Sequence, residues 1–381
     1  MPSVQFSAAP DPHTDWHTRP VCRSVFCDGV FAFNLSAQGE SHIQQHVPCQ
    51  DHSRVELVHT ADGLFAVAAA ADGVGSCRLS HYGSCIAVNV AVTYLAVFFQ
   101  QHPHPGETGC PAEVLPEAFA LSQQAVERYA QDHQLLAYSF FSTLTVAVYH
   151  NGTLWYGHIG DDGIVALSRD GAWRLLTTRH KGDEASSVRP LQSGSEAWEF
   201  GCAQDISAFA LLTDGLLDRV VGDAYTDCMV YAPFFTALLP SGRADAGEVE
   251  ALFARWTAAL TGEEGRQGIT DDLTVAVAGD TAALCRTAVQ PFEESQWNER
   301  IERRSRVIHE KLYGQPVQDA PTESPVGEAP SGCDDDPIAQ LEAITARHQQ
   351  AVRAQQQSPP SPRSPHHERR PSTAKRRARR Q

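Results

Sequence analysis

The chain is predicted to adopt an α+β fold in which antiparallel sheets are covered by helices, and three observations carry that expectation. Strand-like runs are joined by Asn-Gly and Asp-Gly pairs, which favour tight hairpins. Two long helical segments stand together between the strands. The elements do not alternate strand and helix as a Rossmann-type sheet requires.

Residues 1–27 read as an irregular lead-in. Strands are then expected over Val30–Leu35, Val55–Val58 and Leu64–Ala70, each a short apolar run. A long helix follows over about His81–Gln100, apolar on most faces. Its apolar part, Ile86–Phe99, is shorter than a bilayer span and reads as buried, so no transmembrane segment is expected. Pro103 and Pro105 end that helix. A second, amphipathic helix is expected over Glu113–His133, with Val114, Phe119, Ala125 and Val126 facing inward.

A β-rich stretch comes next. Leu144–Tyr149 and Leu154–Ile159 flank Asn151-Gly152, and Ile164–Leu167 and Trp173–Leu176 flank Asp170-Gly171. Phe209–Leu212 and Leu273–Val277 read as buried strands, with a helix between them over Glu248–Leu260. Residues 281–314 carry a charged helix, read over Pro291–Tyr313. Residues 315–381 are rich in Pro, Ser, Gln and Arg, a low-complexity tail that buries too little apolar surface to fold alone.

Charge is divided unevenly. The formal net charge is -16, yet residues 351–381 hold nine Lys or Arg against Glu368 alone, leaving -24 for the remainder. An acidic body argues against broad nucleic-acid binding and suits a site that gathers divalent cations. The basic tail is a candidate contact for an acidic surface, anionic lipid or nucleic acid, but no aromatic residue is interleaved to stack on bases. The ten cysteines contain no Cys-x-x-Cys pair and read as free thiols. With no signal-peptide pattern over Met1–Trp16, the expected location is the cytoplasm.

The chemistry is carried by aspartates at the ends of apolar strands. Asp72 follows Phe65–Ala71 and precedes Gly73-Val74-Gly75. Asp161 follows Leu154–Gly160, Asp214 follows Phe209–Thr213, and Asp271 precedes Asp272 and Leu273–Val277. One Asp-Gly pair alone reads as a turn or a helix cap. Four carboxylates, each fixed by a rigid strand, form a set able to hold hard cations.

Taken in order, these segments resemble the protein phosphatase 2C family over residues 28–280. Gln50-Asp51 resembles the acidic opening motif, and Ala71-Asp72-Gly73-Val74-Gly75 the Ala-Asp-Gly-x-Gly motif. Ser142-Thr143-Leu144-Thr145 resembles the Gly-Thr-Thr-Leu strand start. Gly160-Asp161, Thr213-Asp214-Gly215 and Asp271-Asp272-Leu273-Thr274 stand at the Gly-Asp-Ser-Arg, Ser-Asp-Gly and Asp-Asn-x-Thr positions. Ser41-His42 with Pro48-Cys49-Gln50-Asp51 is similar to a bacterial branch, and Lys181-Gly182-Asp183-Glu184 falls at the family's mobile flap.

The resemblance implies a four-layer α/β/β/α sandwich with a metal cleft at one edge. It implies two Mn²⁺ or Mg²⁺ ions, with a third in bacterial members. Asp72 would bridge two ions, the Gly73 carbonyl would complete one shell, and Asp214 and Asp271 would bind one of the two ions. Asp161, with Asp162 beside it, would help to hold the third, while Gln50 and Asp51 would act through water. The metals would lower the pKa of a water that attacks phosphorus in line. The implied activity is hydrolysis of phosphoserine and phosphothreonine in phosphoprotein substrates, opposing a bacterial Ser/Thr kinase.

Two positions depart from the pattern. His46 stands where many members have a phosphate-gripping Arg, and Val74 where some have a His. His46 and His42 are the phosphate-binding candidates, each with the alternative of a structural histidine. The departures also support an alternative function, a phosphatase-like module that binds phosphoproteins with weak turnover.

Overall fold

The computed structural model describes residues 18–313, apart from residues 103, 105–109, 180–187, 223–227 and 263–268. In chain order the strands and helices are β1 (Val21–Cys27), β2 (Val30–Ala37), α1 (Glu40–Gln45), β3 (His52–Thr60), β4 (Gly63–Ala71), α2 (Ser80–Gln101) and α3 (Pro111–Asp132). There follow β5 (Leu144–His150), β6 (Thr153–Ile159), β7 (Gly163–Ser168), β8 (Trp173–Leu175), β9 (Glu199–Ala203) and β10 (Ile206–Leu212). The chain continues through α4 (Asp214–Val220), α5 (Ala232–Ala237), α6 (Ala246–Thr261), β11 (Leu273–Asp280), α7 (Thr281–Leu284) and α8 (Glu294–Tyr313).

The strands form two antiparallel sheets. The six-stranded one has the order β1-β2-β11-β10-β7-β8, and the five-stranded one β3-β4-β5-β6-β9. Three apolar cores separate four layers. Between the sheets the core is built largely of small side chains, among them Ala66, Ala68, Ala147, Ala166 and Ala276. The opposite face of the six-stranded sheet buries Phe31, Phe33 and Leu35 against Phe253 and Trp256 of α6. The opposite face of the five-stranded sheet buries Val67, Val146 and Val148 against α2 and α3. Because a strand's side chains alternate between faces, each central strand feeds two cores, which is why its sequence is apolar throughout. The architecture is the expected α/β/β/α sandwich.

Several elements differ from expectation. Val21–Cys27, within the expected irregular lead-in, is a strand paired with β2 from Val21↔Ser36 to Cys27↔Val30. Its exposed Arg23 and Ser24 hide the apolar alternation, as suits an edge strand. The hairpin turn beneath it, Asp28-Gly29, has φ of 47° and 84°, the same two-residue left-handed turn as Asn151-Gly152 at 47° and 84°. Helix α2 extends to 22 residues, long and apolar enough by composition to cross a membrane. Its burial, 67% of the most apolar stretch, marks it as a core helix; its length does not. Of the residues expected to face inward from α3, Val114, Phe119 and Val126 are buried and Ala125 is partly so. The charged C-terminal helix begins at Glu294, after the separate short α7. The expected flap, Lys181–Glu184, and the tail over residues 315–381 lie outside the described residues.

Candidate metal centre

Strand register brings the aspartates to one edge of the sandwich. In the five-stranded sheet His52 pairs with Ala71 and Leu144 with Ile159, so Asp51, Asp72, Thr143 and the Gly160-Asp161 turn leave the sheet together. In the six-stranded sheet Leu212 pairs with Gly163 and Leu273 with Ala37, placing Asp162, Asp214 and Asp272 at the matching end. The carboxylates therefore converge although they are up to 221 positions apart in sequence, from Asp51 to Asp272.

Asp72, Asp161 and Asp214 each present a carboxylate oxygen within 4.8 Å of the other two. Asp161 is buried and the other two are half-buried. Burial pushes the Asp72 carboxyl well above the usual carboxylate range, and Asp51, Asp214, Asp162 and Asp161 add to the rise. So dense a set of carboxylates calls for a counter-charge, and its all-oxygen donors fit a hard divalent cation. The residues present fit Mg²⁺ or Mn²⁺.

Asp271 stands in a second group. With His42 and Asp272 it forms a triplet whose ligand atoms also lie within 4.8 Å of one another. It is close to the first group, since a side chain on Gly215 would begin 3.3 Å from the Asp271 Cβ. That added carbon would also meet the Asp272 carbonyl oxygen at 2.0 Å, which is why the residue after Asp214 must be glycine.

The supporting residues hold these carboxylates in place. Asp51 is buried and accepts a 2.6 Å hydrogen bond from the Thr213 hydroxyl, which joins the start of β3 to the end of β10. Burial and then Asp272 push its pKa well up. The Gln50 side chain donates to Ser80 at 2.7 Å, and the Ser84 hydroxyl donates to the Gln50 carbonyl at 2.5 Å. Gly73 lies under this contact, where an added Cβ would come within 2.7 Å of the Gln50 carbonyl oxygen and 2.8 Å of the Ser80 Cβ. The Thr143 hydroxyl accepts from the Asp72 amide at 2.7 Å and donates to Asp162 at 2.5 Å. Asp162 is fully buried and its Oδ1 has no hydrogen-bond partner among the described residues.

The two histidines separate. His42 Nδ1 lies 2.8 Å from Asp272 Oδ1, and Nε2 lies 3.8 Å from Asp271 Oδ1. Burial lowers the His42 pKa, but the hydrogen bond and charge of Asp272 outweigh it and leave the ring above its ordinary value. His46 is the exposed left-handed residue that ends α1, at φ 56°. Its side chain makes no hydrogen bond or ion pair among the described residues.

A sequence profile described as protein phosphatase 2C matches residues 38–256, more than half of the chain. The chain belongs to the protein phosphatase 2C family. Solved structures similar to this family member include RsbX in complex with magnesium, at 14% identity over 68% of this chain and 100% of that one, with a TM-score of 0.43. The catalytic domain of the serine threonine protein phosphatase PstP in complex with two manganese ions is similar at 20% identity over 68% and 99%, again with a TM-score of 0.43. The Mycobacterium tuberculosis serine/threonine phosphatase PstP/Ppp is similar at 19% identity over 68% and 97%, with a TM-score of 0.43. No curated protein matches the chain.

From the sequence alone Asp272, Thr143 and Thr213 stand within motif segments without a role of their own, and Arg179 is not singled out. Thr143 and Thr145 carry a signal, because residues two apart on a strand face one side and both hydroxyls reach Asp162, at 2.5 and 3.5 Å. Nothing local marks Arg179.

Proposed function

We propose that the chain is a metal-dependent protein-serine/threonine phosphatase that hydrolyses phosphoserine and phosphothreonine in proteins and opposes a Ser/Thr kinase. The observation that carries this reading is the convergence of Asp72, Asp161 and Asp214 within 4.8 Å at the sheet edge of a family member. When bound, two Mn²⁺ or Mg²⁺ ions supply an acidified water and a counter-charge for phosphoryl oxygens. Asp72 would be the shared ligand, with the Gly73 carbonyl beside it. Asp214 and Asp271 would hold one ion, Asp161 would contribute to a further ion, and Gln50 and Asp51 would orient water around them. Thr143 and Thr213 keep the Asp72 backbone and the Asp51 carboxylate in place, so little reorganisation is needed as charge develops.

A second reading is a phosphoprotein-binding module with weak turnover, favoured by His46 standing where many family members have a phosphate-gripping Arg. The basic tail, with its nine cations over residues 351–381, serves under either reading as a contact for an anionic surface. The cytoplasm is the matching compartment for both.

Turnover on a phosphothreonine peptide with Mn²⁺, Mg²⁺ or chelator separates the two readings. Hydrolysis that needs the metal and is abolished in a folded Asp72→Asn protein is the expected result. Full activity in excess chelator would contradict the metal role, and metal-independent binding without turnover would favour the module.

A further inference from the structure

Just past β8, Arg179 occupies an unusual position for a cation. Its side chain is only 4% exposed. Nε donates a 2.8 Å hydrogen bond to the Asp161 carbonyl, and Nη1 is paired with Asp218. Asp218 lies four residues after Asp214, one helical turn along α4, so the two stand on neighbouring positions of one helix face. One planar guanidinium therefore joins the turn that carries Asp161 to the helix that begins at Asp214. Both are members of the three-carboxylate cluster. Nη2 is buried and has no hydrogen-bond partner among the described residues.

Stability alone does not explain such a residue. Burying the Arg179 charge costs desolvation that its pair with the 34% exposed Asp218 only partly returns. The best-attested use of such a pair is to fix register, and the elements joined here are those whose separation a metal ion would feel. An Arg can do this where a Lys cannot, because its rigid fork addresses two acceptors at once.

We propose that Arg179, with Asp218, is a positioning residue that holds Asp161 and Asp214 at the separation a divalent cation requires. The inference rests on the metal reading of the cluster. It differs in sign from a simple charge effect. If Arg179 only offset the acidic cluster, removing its charge would tighten cation binding. As a clamp, its loss loosens binding even when the charge is kept.

The test is calorimetric titration of the full-length protein with Mn²⁺, comparing wild type with Arg179→Lys, Arg179→Met and Asp218→Glu. Melts of each metal-free protein show that the titrated species is folded. Arg179→Lys is expected to weaken Mn²⁺ binding by about tenfold, the lower end of what supporting partners of metal ligands contribute. Asp218→Glu, which keeps its charge but lengthens the arm, should shift affinity in the same direction. Should Arg179→Lys fail to fold, Asp218→Glu decides. Unchanged affinity in the folded charge-preserving variants, or tighter binding by Arg179→Met, would overturn the clamp while leaving the metal reading intact. A wild-type protein that binds no Mn²⁺ would overturn the metal reading and the clamp with it.

Discussion

Asp272 receives the backbone amide of Gln50 on its Oδ2 at 2.6 Å, which fastens the start of β11 to the segment carrying Gln50-Asp51. Its Oδ1 takes the Gly39 amide at 2.9 Å and faces His42 at 2.8 Å. Asp271, the preceding residue, instead has a side chain 53% exposed at the cleft. Adjacent carboxylates thus have opposite duties, one structural and one available to a ligand.

This division predicts opposite outcomes for two neighbouring substitutions. Asp272→Ala strands two buried amides and is expected to cost about 3 kcal/mol in urea melts of the metal-free protein. Asp271→Ala should stay within about 0.5 kcal/mol of wild type, as exposed substitutions do, while reducing stabilisation by Mn²⁺. Equal destabilisation by both would refute the division.

The acidic cluster also fixes the sign of a pH effect. Burial is the chief cause that raises the Asp51, Asp72 and Asp162 pKa values. A carboxyl whose folded pKa is raised adds stability below its unfolded value, about 3.9 to 4.3, and that contribution is lost as pH rises through the folded value. The metal-free protein should therefore lose stability as pH rises above about 4 through the raised values. A cation needs the deprotonated carboxylates, so the gain in Tm from Mn²⁺ should be larger at about pH 7.5 than at about pH 5.5. Thermal melts at both values, with Mn²⁺ and with chelator, check the sign.

Trp297 anchors the helix α8 to the body of the protein. This side chain is 6% exposed, and its ring centroid lies 5.1 Å from that of Tyr231 and 6.3 Å from that of Phe292. Truncation before Gln315 should leave turnover on a small phosphoester nearly intact. Trp297→Ala should cost about 3 kcal/mol, because it empties part of the core beside α5. A large loss of turnover in the soluble truncated protein would show that the tail completes the site.

Much of this arrangement was legible in the residues. Apolar runs ending in Asp72, Asp214 and Asp161 gave both the strands and three members of the cluster, because rigid strand ends are where carboxylates can be held close together. The β1 strand was missed although Asp28-Gly29 carries the same turn chemistry as Asn151-Gly152; the polar Arg23 and Ser24 of an edge strand masked it. The pairing of His42 with Asp272 and of Arg179 with Asp218 was not legible. Those contacts join residues 230 and 39 positions apart, and only the folded register decides which distant side chains meet.

The most direct test of the metal centre is an anomalous-scattering map from crystals of the protein soaked in Mn²⁺. The account predicts manganese peaks at the sheet edge, with Asp72 and Asp214 carboxylates as ligands. A map with no manganese at this edge, from crystals whose protein hydrolyses a phosphothreonine peptide in the presence of chelator, would contradict it.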